Sequence, residues 1–482
     1  MTKRNASGPM NAAKCVLSPS VAAGTLSICM IVKNEAGFLE RCLESVRPAA
    51  DQIVVVDTGS NDGSDEIARS HGAELVRADW KNDFALARNL SLDRAKCAWV
   101  LWLDADDVVP AATVEKLKAL KHEPPDRVFG FTVRNERPDG TGTEFVQARM
   151  FPNHPAIRFE RKVHEQMMPS ALKLGLALDG RDAVIEHHGY ADPKTLKVKA
   201  QRNIALMLND YYPATPDPVT AVEIADSYQL MEGWDKAEMW YSAVLAIAKI
   251  RTTQPAIASQ ACMGLGSIAN RQHKYGIAVR HLEEALKLAP WRVDGLYLLA
   301  VSCDCAGSRE KAIDCLRRIL DAKAAPGQIG VDFRAAKIKA SLRLPRILTD
   351  LKRLDEAVAE SRAAVERHPD RGEIALMAGK VLLVKGELIE AIRLFEKSVA
   401  LAGNRPSMDS YIGLCCIYKK AGRMETVQQT LDATGRLFDG HVRYRAFRRY
   451  FINDMAMVTE SFPEAKLAEE WATIERDFFG SL

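Results

Sequence analysis

No apolar run in these 482 residues approaches the ~18 needed to cross a bilayer, so no membrane span is expected. Charge of one sign is lacking too. The 66 Lys+Arg and 63 Asp+Glu leave a formal net charge of +3 with no long like-charged block, which argues against nucleic acid or an anionic membrane as the main partner. The ten cysteines are too few for a disulfide framework in so long a chain. Cys262, Cys303, Cys315 and Cys415 fall in apolar helical patterns, where free Cys acts as a small hydrophobe, and neither Cys303-Asp304-Cys305 nor Cys415-Cys416 has zinc spacing. A Gly-x-Gly-x-x-Gly turn and a Gly-x-x-x-x-Gly-Lys-Ser/Thr loop are both missing, so neither a dinucleotide fold nor a P-loop is indicated. Residues 1–24 are rich in Ala, Ser, Pro and Asn without a signal-like apolar core, and a flexible tail is expected there. The length suits two or three domains, and the expected location is cytoplasmic.

What is present centres on Trp99 to Asp107. Five apolar residues read as a buried strand, and Asp104, Asp106 and Asp107 come after it within four positions. Carboxylates so spaced at a strand end converge on a hard divalent cation, or else form a polar turn. Upstream, Leu26–Val32 and Gln52–Val56 are apolar strands ending in Lys33-Asn34-Glu35 and Asp57, and Ala73–Arg77 makes a third. Helical spacing of Phe38, Leu39, Cys42, Leu43 and Val46 fills the first gap, a helix from about Asp65 to His71 with Ser64 as its cap fills the second, and a helix ending near Arg94 fills the last. Strand and helix in alternation predict a parallel α/β sheet whose strand ends face one way and bring these polar groups together.

These residues carry a family resemblance. Ser27–Glu35, Ile53–Ser64 and Leu101–Asp107, with Asp79–Asn89, Val163-His164-Glu165-Gln166 and His187-His188-Gly189-Tyr190 in order behind them, resemble a family 2 glycosyltransferase of the GT-A fold over about residues 25–205. The resemblance implies a nucleotide-sugar donor, usually UDP-linked, and inversion at the anomeric carbon. By position Asp57 would hold the uridine, Lys33, Asn34 and Glu35 would line the nucleotide pocket, and Asp104 would face the ribose or a metal-bound water. Asp106 would bind Mn2+ or Mg2+ directly, while Asp107 is the least defined of the three and would cap the next segment of chain.

Phe129–Arg134 and Val146–Phe151 read as strands around a Gly140-Thr141-Gly142 turn. Beyond them Glu165 is the candidate base that takes a proton from the acceptor, with His164 as alternative base or orienting group. A surface ion pair of Glu165 with Arg161 or Lys162 is the plain alternative. Either His187 or His188 is a candidate to complete the metal shell, against a buried His bonded to backbone. Arg88 is a candidate phosphate partner, or an ion-pair partner of Asp83 or Asp79.

Pro213, Pro216 and Pro218 mark a boundary, and a repeat begins after them. Ala237, Ala278, Ala312, Ala357 and Ala391 share a frame, spaced 41, 34, 45 and 34 residues apart. Small residues at such points let antiparallel helices pack closely. The pattern resembles tetratricopeptide repeats, five or six helix pairs, with insertions where the spacing is long. The expected architecture is an α/β GT-A-type domain over 25–205, an all-α repeat solenoid over 206–440, and a capping helix over 441–482. The expected activity is metal-dependent glycosyl transfer from a UDP-sugar to a peptide or protein recruited by the repeats. A cell-envelope glycan acceptor, and a repeat scaffold with a degenerate transferase domain, are the alternatives. The repeats would otherwise buttress the catalytic domain or make a homodimer.

Overall fold

The computed structural model describes residues 23–136, 142–189, 193–211, 217–323, 331–403 and 407–438, with Tyr444, Arg448 and Phe451 beyond them. The capping helix expected over 441–482 and most of the Gly140-Thr141-Gly142 turn lie outside the described residues.

The N-terminal region runs β1 (Leu26–Val32), α1 (Ala36–Val46), β2 (Gln52–Asp57), α2 (Ser64–Ser70), β3 (Glu74–Arg77), α3 (Phe84–Leu92), β4 (Trp99–Trp102), β5 (Asp107–Val108), α4 (Ala111–Leu120), β6 (Val128–Glu136), β7 (Gly142–Pro152), α5 (Met168–Lys173) and β8 (Leu178–His187). One eight-stranded sheet has the order β3-β2-β1-β4-β7-β6-β8-β5. Its first four strands are parallel, as short apolar runs joined by helices require. The other half is mixed. β7 runs antiparallel to β4 and β6, and β5 antiparallel to β8. Val32 stands opposite Asp57, and Asp107 opposite His187, so the polar strand ends meet at one edge of the sheet.

Both sheet faces are buried. Leu39, Leu43, Val114 and Leu117 from α1 and α4 pack with Ile28, Met30, Val55 and Leu101, and Trp99 stacks on Phe129 with ring centroids 5.0 Å apart. Cys29, Val54, Val100 and Trp102 pack with Leu92, Phe159 and Ala171. Cores of this size contribute tens of kcal/mol of transfer free energy, offset largely by chain entropy. Ser64 is not the cap of α2. Gly63, at φ +91°, holds the N-cap position. The Ser64 hydroxyl donates to Asp62 Oδ1 at 2.6 Å and accepts from the Glu35 amide at 2.9 Å, because tying β1's exit loop to β2's satisfies more polar groups than a local cap would.

The rest is helical: α6 (Pro193–Asp210), α7 (Pro218–Leu230), α8 (Trp234–Ala246), α9 (Ile250–Thr253), α10 (Pro255–Arg271), α11 (Tyr275–Leu288), α12 (Val293–Cys305), α13 (Arg309–Asp321), α14 (Phe333–Asp350), α15 (Leu354–Arg367), α16 (Gly372–Lys385), α17 (Leu388–Leu401), α18 (Met408–Lys420) and α19 (Met424–Phe438). The five in-frame alanines are all 0% exposed. The one-turn helix α9 accounts for the long 41-residue spacing. Gly379 and Gly413 leave room for Phe395, since a Cβ on either would lie 2.9 or 2.4 Å from its ring. Among the described residues no helix is long and apolar enough to cross a membrane.

The described residues form two compact units. The first holds those up to Ile268 with 287–290 and 331–333, and the second holds the remainder. Helices α6, α7 and α8 thus belong to the same unit as the sheet.

Candidate active site

An open cavity of about 600 Å³ lies at the carboxyl edge of the sheet, within the first unit. Of the residues singled out in the sequence, Lys33, Glu35, Arg88, Asp104, Asp106, His164, Glu165 and His187 line it. Asn34, Asp57 and His188 do not. Asp57 is 5% exposed at the end of β2, and its Oδ1 accepts the amides of Gly59 at 3.1 Å and Ser60 at 2.8 Å. Asn34, at φ +57°, accepts the Asn61 amide through Oδ1 at 2.9 Å. These bonds shape the two loops from which Glu35 and Thr58 reach the cavity.

The three aspartates have different partners. Asp107 is fully buried. Its Oδ2 accepts from Arg149 Nη1 at 2.9 Å and from the Asp104 amide at 2.8 Å, and its Oδ1 lies 2.9 Å from His187 Nδ1. It is therefore the internal anchor of the turn, not a cap on the next segment, because a fully desolvated carboxylate persists only where charge and hydrogen bonds surround it. Asp104 accepts from Arg88 Nη2 at 2.7 Å and lies 3.7 Å from Arg149 Nη2. Burial works against its charge, yet the two arginines hold it well below the usual carboxylate range. Asp106 has no arginine. Burial pushes it above its ordinary value, His187 partly offsets this, and the Asp104 and Asp107 charges add to the rise. Such a carboxylate is short of one positive charge.

Asp104, Asp106, Asp107 and His187 offer ligand atoms that lie within 4.8 Å of one another. Asp107 engages His187 at Nδ1 and so leaves Nε2 as the free ring nitrogen, the relay that commonly orients a metal-binding histidine. Burial opposes protonation of His187, but the hydrogen bond to Asp107 and the nearby carboxylates raise its pKa. Gly189 keeps the gap beside them open. A Cβ there would lie 1.9 Å from Asp106 Oδ2 and 2.9 Å from His187 Nε2. A carboxylate-led donor set with an open gap fits a hard divalent cation. His188 lies apart from this group. Its Nε2 is buried without a hydrogen-bond partner, 3.6 Å from Glu186 Oε2, and its amide donates to the Asp106 carbonyl at 2.9 Å.

Arg88 joins the two sides of the cavity. Its Nε donates to Glu165 Oε1 at 2.5 Å while Nη2 holds Asp104, and its guanidinium lies 4.2 Å from the Trp102 ring centroid. Glu165 therefore pairs with Arg88 and not with Arg161 or Lys162, and Arg161 pairs with Asp217. Asp83, one alternative partner for Arg88, caps α3 by accepting the Leu86 amide at 2.8 Å. The loop carrying Glu165 has Arg161 at φ +82° and His164 at φ +53°, a left-handed backbone that side chains other than glycine adopt at a cost of about 1–3 kcal/mol. Val163 anchors it against Leu206, Met207 and Ile224 of α6 and α7.

The sequence pattern did not disclose the cavity wall formed by α6 and α7, which supply Lys199, Arg202, Asn203 and Glu223. Glu223 is pushed up to about 8 by burial, with Arg161 partly offsetting this and the Asp217, Asp226 and Glu165 charges adding to it. The available signal was one acid inside an otherwise apolar run, Ala221-Val222-Glu223-Ile224-Ala225.

Comparison with known proteins agrees with this layout. The glycosyl transferase family 2 model matches residues 27–176, and a tetratricopeptide repeat model matches 346–406. A TPR repeat-containing protein of Synechococcus elongatus is 30% identical over 274 residues, covering 55% of this chain and 67% of that protein. The SPbeta prophage-derived glycosyltransferase SunS of Bacillus subtilis is 28% identical over 193 residues, 38% of this chain and 44% of SunS. The lipopolysaccharide core biosynthesis glycosyltransferase LpsC of Rhizobium meliloti is 26% identical over 196 residues, 37% of this chain and 72% of LpsC. The chain thus spans two thirds of the first relative and less than half of the second.

Proposed function

Because the chain belongs to the family 2 glycosyltransferases, extended here by tetratricopeptide repeats, we propose that it transfers a sugar from a UDP-linked donor to an acceptor with inversion at the anomeric carbon. The observation that carries this reading is the group of Asp104, Asp106 and His187 at the cavity wall, with the buried Asp107 close enough to share a cation with them. Asp106 and His187 would hold Mn2+ or Mg2+, with Asp107 orienting the histidine. When bound, the ion supplies charge that stabilises a leaving diphosphate. Asp104 faces the ribose. Arg88 fixes its position and that of Glu165, so the donor and acceptor walls keep one spacing. Lys33, Lys199 and Arg202 add positive charge around the diphosphate, and Glu35 and Thr58 border the nucleotide. Asp57 supports the uridine side through the loop it braces.

The acceptor is a peptide or protein presented by the repeats, a role that fits tandem helical hairpins. A cell-envelope glycan is the second reading, favoured by the likeness to LpsC, a lipopolysaccharide core biosynthesis enzyme. The deciding experiment is UDP binding with and without Mn2+, by calorimetry, on wild type and Asp106→Ala. The wild type is expected to need the metal, and the variant to lose the metal-dependent part. A wild type that binds no UDP or UDP-sugar with metal present sinks the reading.

A further inference from the structure

We propose that Glu223 of α7, with His164 beside it, is the carboxylate that removes the acceptor's proton, so that the first helix after the boundary prolines completes the catalytic centre. This rests on the glycosyl-transfer reading above. Three observations carry it. Glu223 lines the same cavity as Asp104, Asp106 and Glu165. The His164 ring lies beside it, with Nδ1 3.9 Å from Oε1, and the carboxyl makes no hydrogen bond among the described residues. Glu165, by contrast, already gives Oε1 to Arg88 at 2.5 Å, and Arg88 stays charged at every pH the protein tolerates. A carboxylate held in that way is a positioning group. An unbonded one in a half-dry cavity is a base.

α7 is well fixed for the task. Ile224, next to Glu223, is fully buried against Val163 of the Glu165 loop, and Asp217 caps the helix by accepting from Val219 and Thr220 while pairing with Arg161. The charged groups around Glu223 are His164, Glu165 and Arg161 from that loop, Asp217 and Asp226 from its own cap and helix, and Lys199 and Arg202 of α6 in the same cavity. Burial lowers the pKa of His164, so its ring is neutral where Glu223 works.

The step balances. The acceptor oxygen or sulfur, or water, attacks the anomeric carbon opposite the diphosphate. The bond from that carbon to the β-phosphate oxygen breaks and its electron pair leaves on the diphosphate. The acceptor's proton moves to the Glu223 carboxylate and later to solvent. Since Glu223 ionises only near pH 8, the reaction accelerates as pH rises toward about 8 and levels above it.

The test uses the full chain with Mn2+ and a panel of UDP-hexoses, with water as acceptor. Released UDP is measured from pH 6 to 9.5 for wild type, Glu223→Gln and Glu165→Gln, and UDP affinity is measured separately. Glu223→Gln reproduces the neutral carboxyl, so it keeps the fold. It is expected to bind UDP as the wild type does, to release UDP about 10²–10⁴-fold more slowly, and to lose the rise toward pH 8. Glu165→Gln is expected to keep that rise. A Glu223→Gln enzyme with the wild-type rate and profile overturns the proposal. So does a wild type that binds the donor yet releases no UDP above the uncatalysed rate at pH 8.5. A wild type that binds no UDP fails on the donor reading itself, a distinguishable result.

Discussion

Replacing Gly189 by alanine isolates the space beside Asp106. The backbone there needs no glycine for its torsion, so the added methyl acts through volume alone. Its carbon would sit 1.9 Å from Asp106 Oδ2, and contacts under 3.0 Å are essentially never seen, so the carboxylate must retreat by about 1.1 Å. The His187 ring tip, at 2.9 Å, is only marginally crowded. Both atoms end short side chains, so the fold can yield by an off-rotamer turn worth ~0.5–1.5 kcal/mol, a Tm change of a few degrees. The site has no such latitude. Metal ligands tolerate about 0.2 Å, and a misplacement of ~1 Å typically costs about 10²-fold. Gly189→Ala is therefore expected to lose about 10²-fold in Mn2+-dependent UDP affinity by calorimetry and to keep its far-UV spectrum. Gly180→Ala, in β8 just upstream with nothing within 4 Å of the added carbon, is the control and should bind as the wild type does. Unchanged metal-dependent affinity in Gly189→Ala would refute the assignment of Asp106 and the gap beside it.

Asp107→Asn leaves the Arg149 guanidinium, 2% exposed, without its closest counter-charge, and breaking a buried pair in this way costs ~3–5 kcal/mol. Chemical denaturation should show the loss, and a change under ~1 kcal/mol would mean that Asp104, 3.7 Å away, suffices as partner. Gly413→Ala places a carbon 2.4 Å from Phe395 Cζ in a fully buried contact, and overpacking of this kind costs ~1–3 kcal/mol. Thermal denaturation should show a lower transition that Phe395→Leu in the same background partly restores.

The parallel half of the sheet was legible because each strand is a short apolar run closed by polar residues, and such runs have one good partner arrangement. The repeat was legible through its alanines, since only a small residue fits where helices touch, and all five are fully buried. Roles within Asp104-Ala105-Asp106-Asp107 were not legible. The three carboxylates are chemically alike, and their partners arrive from Arg88, Arg149 and His187, 16, 42 and 80 residues away in the chain. The same holds for His187 against His188. His187 ends β8 and His188 follows it, and which one meets Asp107 depends on the pairing of β5 with β8, a register no local pattern encodes. Glu223 stayed hidden because it belongs to a helix read as part of the repeats, while contacts such as Ile224 with Val163 join that helix to the active-site loop.

Arg88 gives the centre a coupling that the separate motifs do not suggest. Its charge, itself reinforced by Asp104 and Glu165 against burial, is shared between these two carboxylates. Movement of either carboxylate changes the pairing of the other, and Nη1 of the same guanidinium is buried with no partner of its own. A bound phosphate oxygen or sugar hydroxyl that reached Nη1 would gain a charge-assisted hydrogen bond without ordering a new side chain, since Trp102 and both carboxylates already fix the guanidinium. Donor binding would then tighten the group that sets the position of Glu165, and through its loop that of His164 beside Glu223. The backbone strain at Arg161 and His164 lies in that same loop, which Val163 packs against α6 and α7.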